Sequence, residues 1–104
     1  LQAIDITCIP SRNEAFGLTV IEAMAAQCAV VGANSGAIPE LIDQQRGRLA
    51  DPLSAEEWFV ALKELIDAPE TRRTLGEEAR RWVIAHMALD VHVKKLLREY
   101  QQPE

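Results

Sequence analysis

Two glutamates, Glu14 and Glu22, stand with seven residues between them and flank a turn signal at Phe16-Gly17. After that turn the apolar residues Leu18, Ile21, Met24, Ala25 and Cys28 recur at helical spacing, so a helix starts near Gly17 or Leu18. The first turn of any helix leaves its backbone N–H groups unpaired. Here these belong to Gly17, Leu18 and Thr19, and with the helix dipole they suit an anionic oxygen such as a phosphate. Glu14 precedes the helix and hangs in the loop. Glu22 falls in the second turn, opposite in phase to Met24 and roughly 6–7 Å along the axis from Leu18. A donor cluster with one carboxylate on each side fits a ligand carrying both phosphates and hydroxyls, as a nucleotide sugar does. A second loop sets Ser35 and Gly36 close to Glu40.

The elements that must position these groups follow from pattern. Residues 4–9 are an apolar run of strand type, ended by Pro10-Ser11. The helix covers residues 17–27, and residues 29–33 form a short buried second strand. Residues 38–43 make a short helix with Pro39 in its first turn, where the missing N–H costs nothing. Residues 47–50 are a third strand, stopped by Asp51-Pro52. Ser54-Ala55-Glu56-Glu57 is a capping box opening a helix with Trp58, Phe59, Leu62, Leu65 and Ile66 on one face. Pro69 ends that helix and starts the next, over residues 70–86, striped by Leu75, Ala79, Trp82 and Val83. A last helix begins near Asp90 and presents Val93, Leu96, Leu97 and Tyr100. This order predicts an α/β fold: a partial Rossmann-like, doubly wound domain with about three parallel strands and closing C-terminal helices. Ligands bind such units at loops beyond the carboxyl ends of the strands.

At 104 residues the chain is at most one domain. An apolar fraction of 48% supplies a core, and a net charge of −5 argues against a general nucleic-acid or membrane-surface role. Cys8 and Cys28 lie in apolar runs and are expected reduced and buried, which fits a cytoplasmic protein. No apolar run approaches the roughly 20 residues that span a bilayer. His86 and His92 do not share a helical face, and no Cys or acid completes a metal set. Trp58, Trp82 and Tyr100 read as core. Arg72-Arg73 and Arg80-Arg81 read as solvated surface. Three strands are half a sheet, and the chain begins with Leu1, so it is expected to be a piece of something longer.

Glu14-Ala15-Phe16-Gly17-Leu18 followed by Glu22-Ala23-Met24 resembles the E-x7-E signature of retaining GT-B glycosyltransferases, specifically glycosyltransferase family 4 (group 1). Gly36-Ala37-Ile38-Pro39-Glu40, Gly47-Arg48-Leu49-Ala50-Asp51-Pro52 and Leu75-Gly76-Glu77-Glu78-Ala79-Arg80 match that family's later segments in order. Ala15 stands where the family often has Gly, and residues 86–90 lack its Phe-Ser-Trp.

The resemblance implies that residues 1–104 are the C-terminal portion of a nucleotide-sugar donor-binding domain. The enzyme would move a hexose from a nucleotide sugar to an acceptor hydroxyl with retention, using neither cofactor nor metal. Glu14 becomes the catalytic-site acid, set against hydroxyls of the donor sugar. The amides of Phe16, Gly17 and Leu18 face sugar and diphosphate, Thr19 adds a donor near the phosphates, and Glu22 accepts from two ribose hydroxyls. Arg12, Gly36 and Glu40 stand as further candidates. Each has a simpler reading beside it: a solvated Arg, a turn glycine and a surface acid. The implied partners are the donor and an N-terminal acceptor domain, without which the 104 residues are expected to be inactive. The alternatives are part of a GT-B nucleotide-sugar epimerase, or a non-catalytic fragment that binds a nucleotide or self-associates through its open sheet edge.

Overall fold

Ala29-Val30-Val31-Gly32-Ala33 carries no polar side chain, and it forms β2 (Ala29–Ala33), buried along its whole length. In the computed structural model, which describes residues 6–10, 18–87 and 89–99 and only the backbones of Leu18 and His92, β2 is the middle of three strands. It pairs in parallel with β1 (Ile6–Ile9) on one side and β3 (Gly47–Ala50) on the other. Ile6 stands opposite Ala29, and Gly47 opposite Val30. A parallel strand covered on both faces reads as an unbroken apolar run.

Five helices complete the described chain: α1 (Leu18–Ala25), α2 (Ile38–Leu41), α3 (Ala55–Asp67), α4 (Pro69–Met87) and α5 (Val91–Glu99). Alternate residues of β2 feed opposite sides of the sheet. Val30 joins Val20, Met24, Ile38, Ile42, Ala79, Val83 and Val93 in one apolar cluster. Ala29 and Val31 join Ala50, Ala61, Leu65 and Leu75 in the other. α4 therefore serves both, Leu75 on one side and Ala79 and Val83 on the other, by passing beneath the start of β2. The passage is tight: a Cβ on Gly76 would lie 2.2 Å from the carbonyl oxygen of Gln27.

Several elements end differently from expectation. α1 stops at Ala25 because Gln27 turns left-handed, with φ 64°. Its N–H then donates to Met24 C=O at 3.0 Å and that of Cys28 to Ala23 C=O at 3.1 Å, satisfying two terminal carbonyls. α2 stops at Leu41, since Ile42 turns extended and buries its side chain. Half of the capping box forms: Ser54 Oγ accepts from Glu57 N–H at 3.2 Å. The Glu57 carboxylate instead accepts from Asp51 N–H at 2.9 Å.

The apolar face of α3 is rotated from the predicted stripe. Ala61 and Leu65 are buried, whereas Phe59 and Ile66 are 65% and 60% exposed, because the small Ala61 is what meets the sheet. Cys28 is buried as expected, but Cys8 is exposed on β1. Arg72 is not a solvated charge: its Nη1 donates to Leu65 C=O at 2.7 Å and Ile66 C=O at 3.0 Å, capping α3. Trp58 and Trp82 are half-buried against the core, and Tyr100 lies outside the described residues. No described helix is long and apolar enough to cross a membrane.

Candidate functional site

In a parallel sheet the carboxyl ends of neighbouring strands lie side by side, here with Ile9 opposite Gly32. α1 must return from the far end of β1 to the start of β2. Its eight residues span about 12 Å, close to the length of the strands it runs back along. The first turn of α1, with Leu18 and Thr19, therefore stands at the same end of the sheet as the turn that leaves β2. That turn is tight. Ser35 N–H donates to Ala33 C=O at 2.8 Å and Ile38 N–H to Ser35 C=O at 3.3 Å, while Gly36 takes φ 62°. A left-handed φ is where a side chain would be strained, so Gly36 is required as a turn residue whatever else it does.

Thr19 and Glu22 are exposed on α1, and Gly36 and Glu40 are exposed beyond β2. The topology thus brings the two described candidate segments to one edge. Arg12, Glu14, Phe16 and Gly17 lie outside the described residues, as does the side chain of Leu18. α1 has no acidic residue in its first turn, so its positive end is not offset from within.

The opposite end of α1 has no basic residue of its own either. Arg80 supplies one from α4: its Nη1 donates to the carbonyl of Ala25, the last residue of α1. This cation offsets the negative end of the helix and ties α1 to the helix beneath the sheet. Desolvation pulls the guanidinium's pKa below the ordinary arginine value. Arg80 was expected on the solvated surface; no local pattern could have joined it to a carbonyl 55 positions away.

Arg46 is a second residue that the motifs did not single out. Its Nε donates to Leu41 C=O at 2.9 Å, its Nη1 meets Asp43 Oδ2 at 3.1 Å, and its guanidinium lies 4.7 Å from the centre of the Trp82 ring. His86 stacks on Trp82 at 4.6 Å. The Asp43–Arg46 spacing was a legible signal for the ion pair; the ring beneath it was not.

The arrangement of parallel strands with helices on both faces is that of the C-terminal domain of GT-B glycosyltransferases. It superposes with a TM-score of 0.73 on the C-terminal domain of a glycosyl transferase group 1 family protein from Francisella tularensis, 35% identical, covering 81% of this chain and 44% of that one. The family profile described as "Glycosyl transferases group 1" matches residues 1–82, and the chain belongs to that family. It is 37% identical over 83 residues to "MMP alpha-(1->4)-mannosyltransferase" of Mycolicibacterium hassiacum, covering 78% of this chain and 20% of that protein. It is 42% identical over 79 residues to "D-inositol 3-phosphate glycosyltransferase" of Corynebacterium aurimucosum, covering 75% and 19%. The chain thus spans about a fifth of the length of these relatives.

Proposed function

We propose that this chain is the C-terminal part of the nucleotide-sugar donor-binding domain of a retaining glycosyltransferase of family 4. The observation that carries the reading is the shared edge. The start of α1, with Thr19 and the exposed Glu22, and the Gly36 turn project from the same end of a parallel sheet. In this reading the first-turn amides of α1 and Thr19 receive the diphosphate of the donor. As the sugar–phosphate bond breaks, charge grows on the departing phosphate. Fixed N–H dipoles already aimed at it stabilise that charge without reorganising and without a metal. Glu22, one turn further along, accepts hydrogen bonds from two ribose hydroxyls, a task suited to a carboxylate with its two oxygens. Glu14 lies against hydroxyls of the transferred sugar. The acceptor is held by a domain supplied by the rest of a longer, cytoplasmic enzyme.

Glu22→Gln in the whole enzyme tests the central assignment. The amide keeps the shape but loses the charge and one of its two acceptor atoms. Donor affinity, measured by calorimetry with the nucleotide diphosphate, is expected to fall by about 1–3 kcal/mol, the range for hydrogen bonds to a charged group. Unchanged affinity would remove the ribose role from Glu22. An amide NMR titration of these 104 residues with UDP, GDP and ADP is expected to shift Thr19, Glu22 and residues 35–40. Shifts confined to α3 and α5 would place the ligand elsewhere.

A further inference from the structure

β3 looks like an invitation to another strand. Among the described residues it pairs only with β2, and clefts run along both sides of it. One, of about 280 Å³, lies against α3 and is lined by Leu49, Val60 and Ala61 together with the charged Arg48, Glu57 and Glu64. The other, of about 410 Å³, is lined by Ile42, Gly47 and Leu49. An exposed strand edge with clefts beside it is where a second copy of a chain adds by strand pairing.

The backbone groups of that edge are nevertheless taken. Asn34 N–H donates to Ala50 C=O at 2.8 Å, which sets the phase of the strand. Arg48 and Ala50 turn their N–H and C=O towards β2, so Gly47, Leu49 and Asp51 turn theirs outward. The Gly47 N–H donates to Asp43 C=O at 2.9 Å. The Gly47 C=O accepts from Arg48 Nη1 at 2.8 Å, and the same nitrogen donates to Gln44 C=O at 2.8 Å. Glu64 on α3 locks that guanidinium from the other side, its two oxygens accepting from Nε at 3.0 Å and Nη2 at 2.9 Å. At the far end, Asp51 N–H donates to Glu57 Oε1 at 2.9 Å. Asp51 C=O accepts from Trp58 Nε1 at 3.1 Å and from Ser54 N–H at 3.0 Å. Among the described residues of this edge, only Leu49 keeps both groups without a protein partner.

We propose that Arg48, held by Glu64, together with Glu57 and Trp58, guards the outer edge of β3 against strand addition by a second copy of the chain. An incoming strand bonds at every second residue of the edge. Here it would find one open residue between two that are already bonded. To gain a ladder it must displace a guanidinium that is itself pinned by a carboxylate, and a carboxylate bound to Asp51. Arg48 holds Glu64 below the usual carboxylate range by donating to it, so the lock is in place at neutral pH.

The test compares the native chain with an Arg48→Ala, Glu57→Ala double variant. Association is followed by sedimentation over a concentration series, and amide exchange at Leu49 by NMR. In the native chain Leu49 is expected to exchange freely at every concentration while Arg48 and Ala50 are protected. In the variant, association is expected at a concentration lower by about tenfold, the scale of one or two net hydrogen bonds, with Leu49 becoming protected as it occurs. A folded variant that associates no more than the native chain would overturn the proposal. So would protection of Leu49 in the native chain on association, or variant association that leaves Leu49 exchanging freely. Should the double variant fail to fold, Glu64→Gln releases Arg48 with less disturbance, and the same Leu49 readout applies.

Discussion

Gly76→Ala is expected to lower the stability of this chain by about 3 kcal/mol, although alanine is the better helix former by about 1 kcal/mol. The added methyl would stand 2.2 Å from the Gln27 carbonyl oxygen and 2.9 Å from its carbon. Both are backbone atoms of the turn that leads from α1 into the buried middle strand, so neither can swing aside like the end of a flexible side chain. α4 must instead lift away from β2, loosening Leu75 in one cluster and Ala79 and Val83 in the other. Thermal unfolding measures this, with an expected fall in Tm of about 10–20 °C for a domain of this size. Lifting α4 also draws Arg80 from the end of α1, so in the whole enzyme the same change is expected to weaken nucleotide binding at a distance. A variant as stable as the native chain would show that α4 does not press on Gln27.

Met24→Ala is expected to cost about 2–5 kcal/mol, the range for emptying a fully enclosed site of this size. Met24 has no exposed surface and lies in the cluster with Val20, Ile38 and Val83. With Val20, Ile21 and Ala25 it seats α1 on the rest of the fold, and it is the largest fully enclosed side chain among them. Two positions earlier on the same helix, Glu22 is exposed. Its change to Gln is expected to leave stability within about 0.5 kcal/mol while altering donor affinity. Urea unfolding of the two variants separates the roles. If Glu22→Gln destabilised the fold as much as Met24→Ala, the division between a seated face and a ligand-facing face of α1 would be wrong.

The two faces of α1 were legible because a helix repeats its apolar residues every three or four positions, and Ile21, Met24 and Ala25 obey that spacing. β2 was legible to the residue, since a buried parallel strand is a short apolar run bounded by turn residues, and β3 because the Asp51-Pro52 turn closes it. The face of α3 was misjudged. Phe59 and Ile66 are as apolar as Leu65, and only the size of Ala61 and the position of the sheet decide which of them is covered. Arg80 and Arg72 were misjudged for a related reason. An arginine on an amphipathic helix looks the same whether its guanidinium meets water or a distant carbonyl.

Composition, period and turn residues by themselves determined the element order, the parallel α/β class and the buried face of α1. These depend on neighbours three or four positions apart. The tertiary structure alone decided that α4 passes beneath β2 at Gly76, that Arg80 closes α1, and that β3 is shielded by Arg48, Glu57 and Trp58. Each of these joins groups that chain order leaves apart or that a local pattern assigns elsewhere. Glu57 was expected to close a box with Ser54 and instead serves Asp51, because the folded chain brings an unpaired strand N–H within its reach.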